Sequence, residues 1–282
     1  MNNFLKDITF IIVSFQSQKV INKCIDSLNS DSKILVIENS SNNLIKEELE
    51  KKYSNVQVMI TGKNLGYAKA NNLGLEIVKT KYVFILNPDA ALEKDTLKEI
   101  EFAISFLKDD FTLLSPKIFD INRNLSLRSR KENIVDKVDY IKGFAIFINM
   151  TKINFKPIFD ENFFLFLEET DLCKRINDLN GKIYVVNKSY VYHEGKKSSG
   201  NDLEIEKCRN WHWMWSLFFY NKKHYGNLVA YRVTLYKFFS SLFKFLIGYI
   251  LFKKNYSSVY KSRMEGLINA YFNKSSWRRP YE

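Results

Sequence analysis

Asp89 is the acidic residue of this chain whose neighbours say most about its use. It closes Asn87-Pro88-Asp89, directly after the apolar, aromatic and β-branched run Tyr82-Val83-Phe84-Ile85-Leu86. Such a run reads as a strand buried on both faces of a mostly parallel sheet. Pro88 lacks the N–H that a sheet ladder needs and biases Asn87 away from helix, so the strand ends there and presents Asp89 just past its carboxyl end. Open α/β sheets bind ligands at that rim. A carboxylate there attracts a divalent cation and, through it, a diphosphate. The plainer alternative is a strand-to-turn junction in which Asp89 begins the next helix.

Two further groups carry chemistry. Glu168, Glu169 and Asp171 follow a stretch crowded with Phe159, Phe163, Phe164 and Phe166. If Glu168 opens a helix, Asp171 and Arg175 lie one turn apart and can pair, while Glu169 points elsewhere. Beside an aromatic wall its carboxylate is partly desolvated, which raises its pKa and its basicity. An acidic first helical turn favoured by the macrodipole accounts for the same residues without any chemistry. His193 lies just past Tyr190–Tyr192. Its neutral imidazole suits a transition-type divalent ion and, with Asp89, makes a sparse two-residue site that holds Mg2+ or Mn2+ mainly through phosphate oxygens. The alternative is a satisfied core or surface histidine.

The surrounding elements have to bring these groups together. The run Ile8 to Ser14 predicts a first strand, 33–37 a second, 56–60 a third and 82–86 a fourth, separated by helical patterns over 20–28, 44–53 and 68–79. Strand and helix alternating at this spacing imply βαβ units and a parallel sheet. Polar turns follow the strands, delivering Ser14 to Gln16, Glu38 to Ser40 and Asn64 to Asn72 to one rim. Glu38 there can accept hydrogen bonds from a ribose or base edge, or can simply start a helix. Gly62 and Gly66 permit unusual backbone angles beside a ligand. Further on, the pattern predicts a helix over 97–107 and strands over 111–115 and 138–148, with a basic stretch of Arg128, Arg130 and Lys131 between.

The segment Asn64-Leu-Gly-Tyr-Ala-Lys-Ala-Asn-Asn-Leu-Gly74, followed by Leu86-Asn87-Pro88-Asp89, resembles the family 2 glycosyltransferases of the GT-A fold. It is most similar to their rhamnosyltransferase-like branch. Phe159-Asp160-Glu161-Asn162-Phe163-Phe164 through Glu168-Glu169-Thr170-Asp171 to Arg175 looks like that branch's F-D-E-x-F-F-x-Y-x-E-D-x-D-L-x-x-R element. His193-Glu194-Gly195, with Ser198 and Ser199 beyond, is similar to its terminal H-x-G…S. The resemblance covers about residues 8–200 in the expected order.

It implies an α/β fold of GT-A type, a Rossmann-like mixed sheet flanked by helices. The implied activity is an inverting transfer from a nucleotide-diphosphate sugar, dTDP-rhamnose or a UDP-sugar, to a hydroxyl of a glycan or polyprenyl-linked acceptor in bacterial surface polysaccharide synthesis. Glu169 takes the place of the catalytic base. Ser14, Glu38, Ser40, Asn64, Gly66, Asn71, Asn87 and Asp89 fall on the nucleotide-sugar side, Asp89 and His193 on the metal, and Gly143, Glu168, Asp171 and Arg175 on the acceptor or supporting side. Three positions depart from the pattern: Glu38 and Glu169 each stand where an aspartate is usual, and Asn87 replaces the first acid of the wider D-x-D motif. A catalytically inactive sugar-nucleotide binder is the competing expectation.

The 282 residues carry a net charge of +12, and the 46% hydrophobic content supports a real core. Residues 207–282 hold fourteen Lys and Arg against two acids, so the excess sits in the tail and 1–206 is neutral. Three widely spaced cysteines, Cys24, Cys173 and Cys208, fit a reducing compartment. The six-residue apolar run Ile8–Val13 is too short for a signal peptide, so the expectation is cytoplasmic. The division expected is a catalytic domain over 1–200 and a helical, basic, aromatic region over 201–282. Trp211, Trp213, Trp215 and the apolar 228–252, interrupted by Arg232, Lys237 and Lys244, predict an interfacial amphipathic helix on an anionic membrane, with Trp and Tyr at the headgroups. Alternatives are packing on the catalytic domain or on a second subunit of a homodimer. Basic and aromatic residues also suit single-stranded nucleic acid, but without a recognition motif and with a neutral 1–206 no nucleic-acid partner is expected.

Overall fold

The computed structural model describes residues 2–118, 133–193 and 202–281. Arg128, Arg130 and Lys131, and the Glu194, Gly195, Ser198 and Ser199 positions, lie outside them. A short helix α1 (Asn2–Lys6) leads into β1 (Ile8–Ser14), followed by α2 (Ile21–Asp26), β2 (Lys33–Glu38), α3 (Asn43–Lys52), β3 (Val56–Ile60), α4 (Tyr67–Ile77) and β4 (Tyr82–Leu86). These strands are parallel, in the order β3-β2-β1-β4.

The central strands are buried on both faces, as their unbroken apolar runs require. Side chains alternate between two cores. Phe10, Ile12, Phe84 and Leu86 join the side covered by α2, α3 and a later helix α5 (Thr96–Phe106), whereas Ile11, Val13, Val83 and Ile85 join the side covered by α4 and α6 (Glu168–Asp178).

Past β4 the sheet becomes mixed. β8 (Ala145–Asn149) runs antiparallel to β4 and continues through β6 (Leu113–Ile118) and β9 (Ile183–His193) to the short β5 (Ala90–Leu92), with β7 (Val135–Lys137) also on β9. Among the described residues this makes a nine-stranded sheet. Three expectations need adjusting here. Asp89 is followed by β5 and not by a helix. β6 runs past Pro116, which sits at a register shift against β9 where no ladder N–H is needed. The strand expected over 138–148 begins only at Ala145. Its preceding backbone is used elsewhere, the Gly143 carbonyl accepting from the Tyr67 hydroxyl at 2.7 Å and the Phe144 carbonyl from the Asn87 N–H at 2.9 Å.

The remaining chain is a long helix α7 (Leu203–Ile250) and a helix α8 (Lys254–Tyr271) that folds back along it. Gly226 interrupts α7 with φ 84° and ψ 172°. Trp211, Met214, Trp215 and Phe218 are buried with Ala230, Leu267 and Ala270. Gly266 is needed at this crossing, because a Cβ there would come within 2.3 Å of the Trp211 carbonyl oxygen. Trp211 and Trp215 therefore pack inside the protein and not at headgroups: both indoles are buried between α7 and α8, and Trp215 Nε1 donates to the Lys274 carbonyl at 2.9 Å.

Candidate active site

The pairing of β5 with β9 decides where Asp89 lies. Ala90 is opposite His193 in that antiparallel ladder, so the residue before Ala90 falls beside the imidazole. Asp89 Oδ1 is 3.3 Å from His193 Nε2, and the Asp89 side chain is buried. The turn is fixed by the Asn87 N–H bond to Phe144 and by the Ala90 N–H donating to the Asn87 carbonyl at 3.0 Å. Phe144 also stacks on His193, ring centroids 4.7 Å apart, which sets the imidazole plane.

A carboxylate oxygen and an imidazole nitrogen this close form a donor set that suits Mn2+ or Mg2+. Among the described residues no group of three or more His, Cys, Asp and Glu could hold a metal ion. A cation at Asp89 and His193 would therefore depend on ligand oxygens from outside the protein.

Behind the ends of β1 and β2 lies a hydrogen-bonded loop cluster. Asn39, next after β2, donates through Nδ2 to Asn64 Oδ1 (3.0 Å) and to the Gly66 carbonyl (3.3 Å), and its Oδ1 accepts from the Leu65 N–H (2.8 Å). Gly66 caps α4 with φ 85°, and a Cβ on it would lie 2.5 Å from the Phe164 carbonyl oxygen. One residue on, the Tyr67 N–H donates to that same carbonyl at 2.8 Å. Asn72 clamps the other end of the segment, donating to the Phe159 carbonyl at 2.8 Å and accepting from the Phe159 N–H at 3.0 Å.

That segment runs through two consecutive left-handed residues, Phe166 (φ 72°) and Leu167 (φ 67°), into the first turn of α6. Glu168 is buried, and burial followed by the neighbouring Glu169 pushes its carboxyl well above the usual range. Glu169 is half-buried and is also raised by burial, opposed by its own N–H and by Thr170. Its side chain lies against Gly143, where a Cβ would be 3.5 Å from Glu169 Cγ.

These pieces surround one cavity of about 1020 Å3. Asn39, Asn64, Gly66, Tyr67 and Asn87 line one part, and Gly143, Glu168, Glu169 and His193 another, with Asp89 against His193. Glu169 and His193 thus line a single space despite their separation along the chain, and the buried Asp89 stands behind that lining against His193.

Other expected residues lie away from the lining. Ser14 and Glu38 are buried side by side in the β1–β2 register, and Glu38 accepts from Ser40 at 2.5 Å. Burial raises the Glu38 carboxyl, while the Ser40 and Ser14 hydroxyls oppose that rise. Asn71 donates to the Tyr67 carbonyl within α4 at 2.9 Å. Asp171 and Arg175 do pair, at 2.8 Å; Asp171 is also held by Lys223 and His224 and so joins α6 to α7, whereas Arg175 donates to the Ile158 carbonyl.

Several lining residues were not expected. Asn39 and Tyr67 lay inside the expected polar turns without being singled out. Ile205, Glu206, Arg209 and Trp213 come from one face of α7, and Pro280 from beyond α8. No local motif marks them, since only the tertiary fold brings α7 to the sheet rim.

The family described as Glycosyl transferase family 2 matches residues 9–173. Among curated relatives, the low-salt glycan biosynthesis hexosyltransferase Agl10 of Haloferax volcanii is 23% identical over 193 residues, 61% of this chain, which spans 62% of that relative's length. The rhamnosyltransferase WbbL of Escherichia coli K12 is 26% identical over 236 residues, 72% of this chain and 88% of its own. Among solved structures, the mannosyltransferase PcManGT of Pyrobaculum calidifontis, in complex with GDP-Man and Mn2+, superposes with a TM-score of 0.58 at 11% identity, covering 95% of this chain and 88% of its own. That likeness shows the GT-A fold.

Proposed function

This chain belongs to glycosyl transferase family 2, and from that membership we propose that it is an inverting, divalent-cation-dependent enzyme. Its donor is a nucleotide-diphosphate sugar, dTDP-rhamnose or a UDP-sugar, and its acceptor a hydroxyl of a glycan or polyprenyl-linked glycan in surface polysaccharide synthesis. The names of the hexosyltransferase and rhamnosyltransferase relatives support the sugar class, and the GDP-Man and Mn2+ held by the mannosyltransferase support the donor type and the cation. The observation that carries the reading is that Glu169 and His193 line one cavity, with Asp89 against His193.

In this mechanism Glu169, its basicity raised by burial, takes the proton from the acceptor hydroxyl. The freed oxygen attacks the anomeric carbon from the side opposite the nucleotide, a new C–O bond forms as the bond to the diphosphate breaks, and the configuration inverts. Asp89 and His193 would hold Mg2+ or Mn2+, which when bound offsets charge on the departing diphosphate. Asn39, Asn64 and Gly66 form the nucleotide wall, and Gly143 leaves room for the acceptor beside Glu169. The catalytic part is taken as residues 1–200, with 201–282 lying at an anionic membrane on the cytoplasmic side.

Glu169→Gln tests the base. Transfer should fall roughly 10²- to 10⁴-fold, with nucleoside diphosphate affinity by calorimetry near the wild-type value. In the unmodified protein the rate should decline on acidification already above the ordinary glutamate pKa, because the carboxylate is the active form. A glutamine variant that transfers sugar at the normal rate removes Glu169 from the chemistry.

A further inference from the structure

The departing nucleoside diphosphate carries more negative charge than one divalent cation neutralises, and the cation site has only two protein donors. The cavity must supply more positive charge near Asp89. Among its described lining residues, Lys142 and Arg209 are the Lys and Arg side chains. Lys142 is exposed, beside Gly143 on the Glu169 side. Arg209 is half-buried on α7, and of the acids acting on it Asp89 is the strongest: burial pulls its guanidinium pKa down and the Asp89 carboxylate pushes it back up.

The helix that carries Arg209 is firmly seated. Asp202 caps it through the Ile205 N–H at 3.0 Å. One turn past Arg209, the fully buried His212, its pKa pushed down to about 3 by burial, stacks on Phe164 at 4.4 Å, and a turn further on Ser216 donates to the Leu165 carbonyl at 2.9 Å. Further along, Lys223 binds Asp160 at 2.7 Å. The segment these bonds hold, 160–165, is the one that leads to Glu168 and Glu169. A guanidinium presented by such a helix is pre-positioned and matches phosphate oxygens with its planar fork.

We propose that Arg209 is a diphosphate-binding residue of the donor site, so that α7 completes the site whose other walls come from the sheet rim. The inference rests on the chain's using a nucleoside diphosphate sugar.

The test uses the full chain and three probes, UDP, GDP and dTDP, each with Mn2+, alongside the matching uncharged nucleosides. Arg209→Gln should weaken the diphosphate that binds the wild type by about tenfold or more, with nucleoside affinity unchanged. Arg209→Met, which keeps the buried stem, takes its place should the glutamine variant fail to fold. Diphosphate affinity within twofold of wild type, or an equal loss for nucleoside and diphosphate, overturns the role of Arg209 alone. A wild-type protein that binds none of the three diphosphates overturns the donor reading and this inference with it.

Discussion

Glu168 and Glu169 show how adjacent carboxyls take on different behaviour. Both are raised by burial and both line the cavity, but Glu168 is 5% exposed and its Oε2 has no hydrogen-bond partner among the described residues, whereas Glu169 is half-buried against Gly143. In the unfolded chain Glu168 titrates near the ordinary value, so between that value and its raised folded pKa the folded state binds more protons. Stability contributed by the protonated form is therefore lost as pH rises through that interval. Glu168→Gln removes the ionisation, and its melting temperature should gain on the wild type as pH is raised from about 5 to 8. Melting curves that stay parallel across that range would show that burial does not govern this carboxyl. The acidic pair was legible from the aromatic run before it, and the resemblance singled out Glu169; how deeply each carboxyl is buried was not legible, because that depends on the left-handed Phe166 and Leu167 that lead into α6.

At the level of elements, the loop before α4 and the segment before α6 are built against each other at Gly66. A side chain there meets the backbone of Phe164, which cannot rotate away as a flexible side chain would, and a φ of 85° adds conformational strain. Gly66→Ala should destabilise the fold by about 2–3 kcal/mol and weaken nucleotide binding, since Asn39, Asn64 and Tyr67 are tied to the same loop. A denaturant midpoint unchanged from wild type would mean that the two segments move apart freely. The strands β1 and β4 were readable to the residue, because strands covered on both faces are unbroken apolar runs, and β3, at the sheet edge, showed the alternation of a half-buried strand at Val56, Gln57 and Val58. β5 was not, as Ala90-Ala91-Leu92 is too short to show a period, yet its ladder with His193 is what joins Asp89 to the imidazole. Asn72 stood at the end of a polar turn expected at the ligand rim, but it is a buried clamp on Phe159.

For the molecule as a whole, the charge division and the apolar exposure coincide. Tyr236, Phe239, Phe243, Tyr249, Ile250 and Phe252 are exposed on the distal part of α7 and the turn beyond it, with Lys244, Lys253 and Lys254 exposed among them. That combination suits an anionic bilayer surface. Replacing Tyr236, Phe239 and Phe243 together by Ser should abolish flotation with anionic liposomes while leaving nucleoside diphosphate binding intact. Equal flotation of the variant would remove this face from lipid contact, and a wild type that stays with neither anionic nor neutral vesicles and elutes as a dimer would assign it to a second copy. Gly226 separates this distal part from the half of α7 that lines the cavity, and a Cβ there would meet nothing within 4 Å. The elbow is nevertheless closed by packing across it: Phe218 before Gly226 meets Tyr231 after it edge to face, ring centroids 5.1 Å apart. Those shared rings leave the elbow no free swing, so whatever docks on the exposed distal face is held at a fixed pose relative to the reaction chamber.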